Sequence, residues 1–167
     1  MKNNKIVILA LLITLSVVLS YVKIFSSIAF DSAPAFLASL LIGPVSGLIV
    51  GVIGHAATAM TSGFPFGMIH LLLMFFMGLC MYAFGWFAAR YKGKDLTYQA
   101  FIAPCFWAYL LNVVIPLTCL GPLLSWPTVM GLFIPLSLAT LANLLVAYLL
   151  AHFLPARMLL KLQEVAD

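Results

Sequence analysis

Charge is what this sequence has least of: 7% of its 167 residues are Asp, Glu, Lys or Arg and only four are acidic, against 65% hydrophobic. That leaves too little polar surface to cover a water-soluble globule. The mean hydropathy of +1.21 points the same way. Catalytic and energising motifs are missing as well. Gly93-Lys94 is followed by Asp95 and has no glycine-rich lead, so there is no phosphate loop and no expected ATP hydrolysis by this chain. No serine sits in a G-x-S-x-G elbow and no H-E-x-x-H occurs. Cys80, Cys105 and Cys119 form no C-x-x-C pair, which argues against a zinc or redox centre, and no metal site is expected.

What remains is long apolar runs. A helix needs roughly 20 such residues to cross the hydrocarbon core, and unpaired backbone is not tolerated there, so the chain must be a helical bundle or a closed barrel. The runs are continuous rather than alternating, which selects helices. The expected fold is an all-α integral membrane protein, one domain over residues 1–167, with helices at about 6–22, 34–42, 45–60, 66–89, 98–117 and 128–154. The basic start and first apolar run also fit a secretory signal, with Ala33-Pro34-Ala35 as a loose cleavage site. The length of the run and the position of Pro34 favour a retained helix. Residues 119–127 read as a Gly/Pro/Trp loop, and 61–65 as a turn.

The basic residues test the count, because Lys and Arg collect on the cytoplasmic side. With the N-terminus inside, six crossings put Lys2, Lys5, Arg90, Lys92, Lys94, Arg157 and Lys161 inside and only Lys23 outside. Five or seven crossings would strand Arg157 and Lys161 on the wrong face. Both termini are therefore expected in the cytoplasm. The net charge of +4 reads as topology, not as a nucleic-acid partner.

Residues 31–70 are the most ordered stretch. Gly43, Gly47 and Gly51 recur at i, i+4, i+8 and predict a flat helix-packing strip, which would carry His55 into the bundle. Topology gathers Asp31, the 62–65 turn, His55, His70 and Asn112 toward the outer side, where they either line an outward-opening pocket or hydrogen-bond across helices. Asn143 and His152 read as interhelical partners. Asp31 is the only acid away from the inner face, so a proton relay of carboxylates is not expected.

The first helix, ALLITLSVVLSYV, followed by DSAPAFLASLLIGPVSGLIVGVIGH, resembles the substrate-binding S component of an energy-coupling factor (ECF) vitamin transporter. The resemblance implies a six-helix, multi-pass subunit of a prokaryotic plasma membrane. Such a subunit captures a vitamin outside and hands it to a membrane coupling subunit (T component) and two cytoplasmic ATPases. It implies no intrinsic cofactor, the vitamin being substrate. Ala10 matches the first alanine of that family's A-x-x-x-A partner-contact motif, and Thr14 replaces the second. The family's ligand regions point at Asp31, His70, Trp107, Asn112 and Trp126, with Phe64 and Pro65 as a lid. The Met-Lys-Asn-Asn start lacks the histidine segment of the nickel and cobalt members. The Asp-Ser-Ala-Pro-Ala and S-G-F-P-F-G segments are most similar to the cobalamin and α-ribazole group, so cobalamin or a related corrinoid is the expected ligand, with α-ribazole, riboflavin and pantothenate as alternatives. A small membrane enzyme and a purely structural assembly subunit are the readings from other classes.

Overall fold

The computed structural model describes residues 2–25, 28–90 and 98–154. Lys92, Lys94, Arg157 and Lys161, four of the residues on which the expected topology rests, lie outside them. Helix α1 (Lys2–Leu19) leads into a short antiparallel hairpin, β1 (Lys23–Phe25) and β2 (Ile28–Ala29), with Lys23 opposite Ala29 and Phe25 opposite Ile28. The hairpin lies in the gap between the first two expected helices, 6–22 and 34–42. The Phe30 amide extends the pairing by donating to the Val22 carbonyl at 3.1 Å.

Helix α2 (Ser32–Leu41) is the centre of the bundle. Nine of its ten residues are buried, as befits a helix apolar on nearly every side, and it packs against α1 and against the later helices at Pro44–Thr61, Ile69–Ala89 and Trp126–Phe153. At ten residues it is about 15 Å long, half the hydrocarbon thickness. Gly43 ends it with φ +121°, a conformation that favours glycine, and Pro44 opens α3 (Pro44–Thr61). Helix α4 (Ile69–Ala89) returns alongside α3.

Helix α5 (Tyr98–Tyr109) continues through a π-turn (Leu110–Val114) into α6 (Ile115–Leu124), and α7 (Trp126–Phe153) closes the bundle. The π-turn sits where Pro116 would press its ring on the Asn112 carbonyl and withhold a donor from it. The loop expected over 119–127 is helical except at Ser125. Gly121 and Pro122 do not break α6, because a chain in lipid has no water to satisfy an opened backbone. The break falls instead at Ser125, whose Oγ accepts from the Thr128 amide and caps α7.

Among the described residues four helical stretches are long and apolar enough to cross a membrane: Pro44–Thr61, Ile69–Ala89, Ile102–Leu124 and Trp126–Phe153. Asn4–Leu19 and Ser32–Leu41 are shorter and apolar. Small residues set the spacing between them. A Cβ on Gly47 would run into Ser39, one on Gly51 into Met81, one on Gly54 into Ser16, and one on Gly85 into the Pro44 backbone. Gly43 was expected in this strip but stands outside the helix with open space around it, and Gly54 supplies the third contact of α3.

Candidate functional site

Two hydrophobic clusters fill the bundle. One is centred on α2 and α4 with Phe36, Met81 and Phe84; the other, with Val113, Leu117, Leu120 and Val129, lies where the π-turn and α6 meet α7. Between them is a cavity of about 80 Å³. Its apolar walls come from Leu73, Phe76 and Met77 of α4, Pro116, Leu117 and Leu120 of α6, and Leu132 and Leu136 of α7. Ile28 and Ala29 of the hairpin and Phe66 of the turn before α4 complete the enclosure.

The polar lining comes from Asp31 and Ser32, from His55 of α3, and from Asn112, Thr140 and Asn143. Asp31 is buried at the start of α2. Its Oδ2 accepts from the Thr58 hydroxyl at 2.8 Å, its Oδ1 from the Ser32 hydroxyl at 3.3 Å, and its carbonyl from the Ser16 hydroxyl at 2.5 Å. His55 Nδ1 stands 3.9 Å from Oδ2. Burial pushes the Asp31 carboxyl up to about 6, against the opposing pull of the Thr58 and Ser32 hydroxyls. Across the cavity Asn143 Nδ2 donates to the carbonyls of Ala29 and Ala139 at 3.1 and 2.8 Å, tying the hairpin to α7. Asn112 Nδ2 donates to Thr140 Oγ1 at 2.9 Å, and that hydroxyl donates to the Leu136 carbonyl. The buried atoms Asn143 Oδ1 and His55 Nε2 have no partner among the described residues. Acceptors and a ring nitrogen left unmet at a small apolar cavity are what a ligand with hydrogen-bonding groups would satisfy.

The family model described as ECF transporter, substrate-specific component, matches residues 4–159. The chain belongs to that family. No curated protein and no solved structure matches it significantly. As an S component it is a substrate-binding transport subunit and not itself an enzyme, and membership implies association with a T component and ATPases. The membrane-enzyme and assembly-subunit readings give way to it.

Of the residues expected at the ligand, this S component brings Asp31 and Asn112 to the cavity lining. His70 is fully buried one layer behind, stacked at 6.1 Å on His55 and at 5.5 Å on Phe66, with Phe64 edge-on at 5.6 Å. Phe64 and Pro65 sit exposed in the turn above it. Trp107 stacks on Phe87 at 5.2 Å, away from the lining, and Trp126 lies exposed over Gly121 at the α6–α7 corner. Ala10 and Thr14 share an exposed face of α1, with the Thr14 hydroxyl spent on the Ala10 carbonyl at 2.9 Å.

Asn143 lines the cavity but was read as an interhelical partner, His55 lines it and was gathered toward an outward-opening pocket without being named as a ligand residue, and Thr58, Ser32 and Thr140 were not singled out. A signal for part of this exists in α7. Leu132, Leu136, Ala139, Thr140 and Asn143 follow i, i+4, i+7, i+8, i+11, one helical face that turns from apolar to polar.

Proposed function

We propose that this S component captures cobalamin or its α-ribazole fragment at the outer face of a prokaryotic plasma membrane, for uptake driven by a T component and two cytoplasmic ATPases. The proposed topology has six crossings with both termini in the cytoplasm, the arrangement that keeps most Lys and Arg inside. In that orientation His55, Phe66, Leu120 and Leu132 all belong to the outer ends of their rods, and the cavity opens outward.

Of the two, the ligand we favour is α-ribazole, the benzimidazole nucleoside of cobalamin, over whole cobalamin. The observation that carries this is the size and two-sided chemistry of the cavity, about 80 Å³ with apolar walls and a polar end. Sites for drug-sized ligands measure about 300–1,000 Å³, so any vitamin must widen this one. A flat two-ring base needs far less displacement than a corrin macrocycle, suits the Phe76 and Leu walls, and leaves a sugar for the Asp31 and Asn143 end.

Protein purified from cells given α-ribazole and cobalamin together tests the choice by absorbance and mass spectrometry. We expect colourless protein carrying the nucleoside. Red protein would assign cobalamin instead, and retention of neither, with no binding on addition, would overturn both ligand assignments.

A further inference from the structure

The polar end of the cavity is one-sided in its chemistry. Asp31 brings a carboxylate and Asn143 an amide oxygen, while no Lys or Arg among the described residues reaches the lining. Asn143 spends its Nδ2 on Ala29 and Ala139, so the half left over, buried and unmet, is the acceptor Oδ1. The Asp31 carboxylate accepts from the Thr58 and Ser32 hydroxyls and from the backbone amides of Asp31 and Ser32, and it faces the cavity as an acceptor-only group that is negative when ionised. His55, facing Oδ2 at 3.9 Å, is the one side chain in the lining able to carry positive charge. Both residues line the same cavity, and Asn143 is fixed to the Ala29 carbonyl, two residues before Asp31.

We infer that Asp31 and Asn143 read hydrogen-bond donors and turn anions away, so that the site takes only the unphosphorylated form of its ligand. This rests on the vitamin-capture reading above and adds the feature that Asp31 and Asn143 select. Sugar hydroxyls supply a donor to each acceptor. A phosphate brings about −1.5 to −2 charge at pH 7 and accepts rather than donates. Held near a carboxylate inside a water-poor cavity whose described lining has no Lys or Arg and whose one histidine already faces that carboxylate, it is repelled far more than it would be in water.

Calorimetric titration of the purified full-length protein against two neutral/phosphorylated pairs tests this: α-ribazole with its 5′-phosphate, and riboflavin with its 5′-phosphate. The wild type is expected to prefer the neutral nucleoside by at least about 100-fold. Asp31→Asn should narrow the gap to about tenfold or less by losing the repulsion, while Asp31→Glu, which keeps the charge, should keep the preference. Equal binding of both members of a pair by the wild type overturns the inference and leaves the ligand reading standing. So does an unchanged gap in Asp31→Asn, or its loss in a folded Asp31→Glu. Preference for neutral riboflavin with no binding of α-ribazole would do the reverse, and binding of no member of either pair removes both.

Discussion

Asp31 is the residue on which the site's behaviour with pH turns. Its carboxyl titrates near 6 in the folded protein against an ordinary 3.8, so the fold takes up the proton before the unfolded chain does. The resulting stabilisation is complete below 3.8 and is lost as pH rises through 6. Asp31→Asn lacks that term but shares every other titrating group, His55 and His70 included. Relative to this variant the wild type should therefore gain about 1.4 kcal/mol per pH unit on going from 6 down toward 4. Parallel thermal unfolding of the two proteins in detergent reads it, and a difference that does not move with pH would mean the carboxyl is solvated. Asn143 makes a second prediction. Asn143→Ala removes both anchors of the amide and frees the buried Ala29 carbonyl, a change worth about 1–2 kcal/mol. Faster hydrogen exchange in the β1–β2 hairpin should accompany it, with the exchange of α1 unchanged.

Among the elements, packing is controlled by what each glycine faces. Gly85 meets the Pro44 backbone, which cannot move aside, whereas Gly131 in α7 has open space around it. Gly85→Ala should cost about 1–3 kcal/mol through overpacking, while Gly131→Ala should be neutral or stabilising, since Ala is the better helix former by about 1 kcal/mol. Apparent melting temperatures of the two variants separate these outcomes. The same elements explain what could be read in advance. The apolar runs of α3 and α4, the Gly43-Pro44 break and the close packing at Gly47 and Gly51 follow from local composition, and all were visible in the sequence. The π-turn at 110–114 and the helical course of 119–124 were not, because Pro116, Gly121 and Pro122 carry the same local signals in a loop as in a lipid-bound helix. What decides is the surrounding solvent. Likewise Asp31 and Asn112 stood out as polar groups in apolar sequence, whereas the partnership of Asp31 with Thr58, and of Asn143 with Ala29, joins residues 27 and 114 positions apart. Trp107 is the converse case: an aromatic of the right type on the right rod, but facing Phe87 instead of the cavity.

At the scale of the molecule, the ligand site and the expected partner surface occupy different parts of the bundle. Asp31, Asn112 and Asn143 line the cavity, whereas Ala10 and Thr14 lie on an exposed face of α1 and do not line it. Because neither side chain contributes to the cavity, the two functions should come apart on mutation. Replacing Ala10 with Phe adds bulk where a neighbouring helix would need to approach closely. Ligand affinity of the isolated S component should then stay within about twofold, while recovery of the T component and ATPases with it from membranes falls sharply. A variant that loses ligand affinity as well would show that α1 also shapes the site, through the Ser16 hydroxyl that holds the Asp31 carbonyl. Full recovery of the complex would move the partner contact off this face of α1, leaving the exposed apolar flank of α7, with Ile134, Leu138 and Leu145, as the next surface to alter.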